Sequence, residues 1–114
     1  MKKYIIIKAD TNDADYVQEK HEVTDDILRE LMPVINAIKE YTDDKSITYQ
    51  KWNYWAIEWH DRGKPTPKEL YVDTGKCTLE QLELFDQYLP YAEHGIHSIE
   101  SVEILEVSNE YKLL

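Results

Sequence analysis

The 114-residue chain has one cysteine, three glycines and, from Cys77 to Tyr111, no lysine or arginine at all. Each shortage excludes something. Cys77 has no partner within the chain, so no intramolecular disulfide can staple the fold, and a packed core must hold it. Three glycines leave little scope for a phosphate cradle built from backbone amides. No P-loop, dinucleotide-binding turn, nucleophile elbow or zinc-protease motif is present. The apolar run Tyr4–Ile7 stops at Lys8. That is short of the roughly 7–15 apolar residues of a secretory signal and of the roughly 20 of a membrane span. These shortages together predict a cytoplasmic protein of one domain over residues 1–114, with 108–114 as a tail.

What the chain has in excess is acid. Its formal charge is −10, from 23 acidic and 13 basic residues. Such a balance opposes direct binding to nucleic acid and to anionic membranes, because both depend on lysine and arginine meeting phosphate. The charge is uneven. Residues 45–76 carry a balance of +2, so the rest carries −12, and residues 77–111 hold eight acids.

Hydrophobic patterning gives the expected elements. The β-branched run Lys3–Ala9 has apolar residues on both faces, which predicts a central strand. Asp10–Asp15 is a turn, and Tyr16–Val23 alternates as a half-exposed or edge strand. Thr24 caps a helix whose stripe is Ile27, Leu31, Val34, Ile35 and Ile38, with a kink or a break expected at Pro33. Ser46–His60 alternates as a long aromatic strand, and Glu69–Asp73 is expected to return as a short strand in a hairpin. Thr78 and Gln81 form a capping box for a second helix with Leu79, Leu82, Phe85 and Leu89 inward. Ile99–Val107 closes the chain as a strand buried on both faces. The fold class is therefore α+β in the order β-β-α-β-β-α-β. It predicts an antiparallel or mixed sheet of four to five strands with two helices on one face.

Several residue groups carry possible chemistry, each with a plainer reading beside it. Asp10, Asn12, Asp13 and Asp15 open like a calcium loop, but Ala14, Asp15 and His21 stand where the fifth ligand, the glycine and the last acidic ligand belong. A solvated turn accounts for them. His94 and His97 could hold zinc only if Cys77 or His60 converged, and the plainer role is to stabilise the negative end of the second helix. Cys77 precedes a helix N-terminus, which favours a thiolate, yet no histidine lies near it in sequence to act as base. No metal and no cofactor is expected.

The acidic stretch and the aromatic strand remain. A field of one sign steers a basic partner, and desolvated aromatic residues supply affinity. The expectation is a non-enzymatic binding protein that contacts another protein with a basic surface. Its most concrete form is an inhibitor that imitates nucleic acid. Glu80, Glu83, Asp86, Glu100 and Glu103 would supply charge, and Trp52 and Tyr54, opposite in parity to Trp55, Ile57 and Trp59, would be the anchors. The alternative is a module for a nucleotide or sugar, or a minor hydrolase, with a pocket between the aromatic hairpin and His94–His97. There His60 or His97 would act as acid or base.

Overall fold

The computed structural model describes residues 1–11, 13–40 and 67–108, apart from the side chains at 97 and 98. The expected strand over 46–60, with Trp52, Tyr54, Trp55, Trp59 and His60, lies outside the described residues, as do residues 109–114 of the expected tail.

Three strands form one antiparallel sheet in the order β2-β1-β3, where β1 is Lys2–Thr11, β2 is Tyr16–Val23 and β3 is Ile96–Val107. The alternation of β1 decides the layering. Ile5, Ile7 and Ala9 are fully buried, while Tyr4, Ile6, Lys8 and Asp10 point to the other face and are only half-buried. The buried set lies opposite Ile104, Val102 and Ile99 of β3. Leu31, Val34, Ile35 and Ile38 from helix α1 (Asp25–Glu40) close over it, with Leu82 and Phe85 from helix α2 (Leu79–Asp86). Both helices thus cover one face, and the other lacks a helical layer among the described residues.

The helix starts follow from side-chain chemistry. Thr24 Oγ1 accepts from the Ile27 amide at 3.2 Å, and Asp25 and Asp26 occupy the first turn of α1. At α2 the capping box forms in both directions. Thr78 Oγ1 accepts from the Gln81 amide at 3.1 Å, and Gln81 Oε1 accepts from the Thr78 amide at 3.0 Å. Lys3 fastens β1 to α1 and to β3, with its Nζ 2.8 Å from Asp25 and 3.5 Å from Glu106.

Four sequence expectations need correction. Residues 69–73 do not form a strand: Lys68–Val72 is a π-helical turn, with the Asp73 amide bonded to the Lys68 carbonyl at 3.0 Å. Pro67 presets a helical φ, Lys68 pairs with Asp73 at 3.0 Å, and Tyr71 turns inward to only 2% exposure. The order β-β-α-β-β-α-β therefore fails at its fifth element; the described residues form three strands, and the expected strand over 46–60 lies outside them. Of the two outcomes expected at Pro33, the break does not occur: α1 runs unbroken from Asp25 to Glu40. The missing Pro33 amide removes one rung, and a surface groove of ≈ 390 Å³ lined by Arg29, Pro33 and Glu40 lies beside it. Finally, β3 borders only β1 among the described residues, and Leu105 on its outer face is 41% exposed. β3 is therefore not buried on both faces.

The layering makes a stability prediction. Phe85→Ala should cost about 3–5 kcal/mol, and Thr78→Ala about 1 kcal/mol, in urea unfolding. Leu105→Ala should cost far less than Phe85→Ala. Equal losses at Phe85 and Leu105 would show that the uncovered face is also core.

Candidate functional site

The outer side of α2 is built by its helical period. Leu82 and Phe85 turn inward, so Glu80, Glu83 and Gln87 share the opposite stripe, and all three are exposed. Neither Glu80 nor Glu83 has a basic partner among the described residues. The contrast with the rest of the helical layer is clear. Arg29 pairs with Asp26 at 3.0 Å, Lys76 with Glu40 at 3.0 Å, and Lys68 with Asp73 at 3.0 Å. Exposed pairs of this kind add little stability, but they cancel charge locally. Glu30 of α1 joins the edge of the acidic stripe, because its Oε2 accepts from Gln81 Nε2 at 3.1 Å.

The other expected acids are not on this stripe. Asp86 is half-buried, and one of its carboxylate oxygens is shielded from solvent. Glu100 is half-buried at the register shift where Lys8 faces Ser101 but Ala9 faces Ile99. Glu103 is exposed, but it sits opposite Ile6, on the sheet face away from the helices. The five acids therefore occupy different surfaces, and only Glu80 and Glu83 stand together. Trp52 and Tyr54 lie outside the described residues.

Sequence reasoning missed the uncovered sheet face. There Lys20 Nζ lies 4.9 Å from the centre of the Tyr4 ring, and Lys8 Nζ 4.7 Å from that of Tyr16. Tyr16 is 58% exposed. The signal was the hairpin register, which sets Tyr4 opposite Glu22 and Ile6 opposite Lys20.

The Asp10–Asp15 segment is a turn organised by Thr11. Its Oγ1 accepts from the amides of Asp13 and Asp15 at 3.2 and 3.3 Å, and Ala14 takes a φ of 60°. Asp13 reaches across to the connection between α2 and β3, where its carboxylate meets His94 Nδ1 at 2.9 Å. His94 thus contacts a carboxylate of the first turn, whereas His97 lies within β3. The same connection touches β2 twice more. Tyr88 stacks edge-on with His21 at 5.6 Å, and the Tyr91 amide donates to Glu19 Oε2 at 2.8 Å. Among the described residues no group of three His, Cys, Asp or Glu is placed to hold a metal ion. Cys77 is buried, and burial pushes its thiol above the usual value, away from the thiolate that a nucleophile needs.

No helix among the described residues is long and apolar enough to cross a membrane. No protein-family model matches the chain, and no curated protein or solved structure matches it significantly.

The Asp13 contact raises His94 above its ordinary value of 6.5, first through the hydrogen bond and then through the nearby charges of Asp13 and Glu93. A raised folded value means that the pair stabilises the fold fully below the unfolded value, and that this is lost as pH rises through the folded value. Asp13→Asn should lower the His94 midpoint read by NMR titration. The stability difference between the two proteins should fade on the alkaline side. An unmoved midpoint would show that the pair does not form in solution.

Proposed function

We propose that the chain is a non-enzymatic binding protein that docks a basic protein surface on the outer stripe of α2. One observation supports this reading above the others: Glu80 and Glu83 project from a capped helix with no basic partner among the described residues, while the basic side chains of neighbouring elements are paired. Carboxylates at i and i+3 stand about 5–6 Å apart at their Cβ atoms. A rigid helix holds them so without ordering cost at the moment of contact.

The concrete form is an inhibitor of a nucleic-acid-binding protein. Its basic groove, evolved for phosphate, would accept the carboxylates of α2 in place of the backbone charge. Net charge of −10 speeds encounter with such a partner and opposes binding to nucleic acid itself. Trp52 and Tyr54 remain the proposed apolar anchors, and a cytoplasmic location fits the single unpaired thiol. Asp86, Glu100 and Glu103 contribute to the long-range field rather than to the contact. The ligand-pocket reading gains less from the described residues. His94 meets Asp13, and the groove beside α1 is lined by Arg29, Met32, Pro33, Asn36, Ala37, Glu40 and Lys76, with no aromatic residue among them.

The test is retention of a partner from an extract of the native host, on immobilised wild type and on the double variant Glu80→Lys, Glu83→Lys. Both side chains are exposed, so the melting temperature should be nearly unchanged. The partner should be lost from the variant, and wild-type retention should weaken as salt rises. Equal retention by both proteins at low salt would remove α2 as the docking surface.

A further inference from the structure

We propose that two copies of the chain associate through the outer edge of β2, which no strand meets among the described residues, pairing antiparallel about a two-fold axis at His21 to join their two sheets into one. The inference stands apart from the reading of α2, which it leaves uncovered.

The backbone is placed for it. The Thr11 amide donates to the Asp15 carbonyl at 2.8 Å, and the same register runs through Ala9↔Val17, Ile7↔Glu19, Ile5↔His21 and Lys3↔Val23. Hydrogen-bonded pairs alternate along an antiparallel ladder. Val17, Glu19, His21 and Val23 therefore direct their amides and carbonyls to β1. Tyr16, Gln18, Lys20 and Glu22 direct theirs outward, and all four residues are exposed. Among the described residues no strand meets that edge.

The two edges of the sheet differ. β3 carries two register shifts against β1, between Lys8 and Ala9 and between Asp10 and Thr11. Shifts of this kind disrupt an edge as a template for pairing. β2 has none: eight consecutive positions pair with β1 without interruption. β3 is regular only over Ser101–Val107, so β2 is the strand that offers an uninterrupted edge along its length.

Charge selects both the partner and the register. Residues 1–23 hold four basic and five acidic side chains, a balance of −1 in a chain of −10. Two copies therefore meet with least repulsion at this hairpin. Pairing centred on Glu19, Lys20 or Glu22 would set like charges directly opposite each other at the axis, which is destabilising, and pairing centred on Gln18 would set no opposite charges together. Centring on His21 instead sets Lys20 opposite Glu22 of the second copy, twice. It also sets Gln18 opposite Thr24 and Glu19 opposite Val23. Tyr91, 66% exposed and tied through its amide to Glu19, adds apolar surface beside this polar seam.

Sedimentation equilibrium of the full chain, from low micromolar to millimolar concentration, tests the proposal. The mass should rise from 13.6 kDa towards twice that value. Glu22→Pro removes an outward amide, which this register sets against Lys20 of the second copy, and no bond to β1, so the fold should persist. Because the two-fold axis repeats the loss, the dimer dissociation constant should rise about tenfold or more. Lys20→Glu alone should weaken association, and Lys20→Glu with Glu22→Lys should restore it, because the pair is only exchanged. This charge swap also decides the matter should Glu22→Pro fail to fold. A wild type that stays at 13.6 kDa throughout overturns the proposal. So does a dimer indifferent to the charge changes, or one that the double exchange does not restore.

Discussion

The structure depends on one constraint: successive side chains of β1 must alternate between a helix-covered face and one that lacks a helical layer among the described residues. Ile5, Ile7 and Ala9 have no exposed surface, and each lies beneath groups from α1, α2 or both flanking strands. Burial of that set fixes the register on both sides, since a slip by one residue would bring Tyr4, Ile6 and Lys8 inward and expose the isoleucines. The register in turn places β2 and β3. It sets His21 and Glu19 on the covered face, where Tyr88 and Tyr91 reach them, and Lys20 and Glu103 on the uncovered one. Even the contact of His94 with Asp13 follows, because the β1–β2 turn ends where the connection from α2 passes.

Much of this was legible in the residues. β-branched Ile5–Ile7 marked the central strand, and the alternation of Tyr16–Val23 marked an edge. Thr24 and the Thr78–Gln81 box located both helix starts, because a cap is a local arrangement that needs no tertiary partner. The failures have a common cause. Glu69–Asp73 spans five residues, and over so short a stretch Leu70 and Val72 alternate as well in a strand as they pack in a helical turn. The decisive influences were the geometry of Pro67 and the space that takes Tyr71. β3 has apolar residues of both parities, as an interior strand would. Val102, Ile104, Leu105 and Val107 lie beyond its register shifts, in regular pairing with β1, so what the pattern could not show is that the face of Leu105 lacks a helical layer among the described residues.

The candidate site was legible only in part, because linear acid content says nothing about faces. Glu80, Glu83, Asp86, Glu100 and Glu103 look alike in a stretch without lysine or arginine. Helical and strand periods then send them to different surfaces. What sets Glu80 and Glu83 apart is not their own sequence but the pairing of cations elsewhere. Arg29 reaches its own helix one turn back, and Lys68 and Lys76 reach carboxylates close at hand. Each of these pairs is weak in energy. Their effect is to use up local positive charge before it can reach α2.

Charge is therefore sorted along the chain. The hairpin of β1 and β2 is almost neutral, so most of the −10 is carried from Thr24 onward. A partner attracted by long-range field approaches the acidic side, where like copies repel one another. At short range the hairpin offers outward amides and carbonyls with little net charge, so a like copy is tolerated there. The two surfaces demand opposite chemistry of what binds them: cationic side chains at α2, and an extended backbone at β2. Because β2 and α2 meet the same core through different elements, occupation of one does not cover the other. A chain joined in pairs at β2 would then carry two acidic stripes on one rigid body. Against a partner with two basic sites within reach, the second contact would form at a raised effective concentration. The strength of a weak acidic contact would then depend on an edge that never touches the partner.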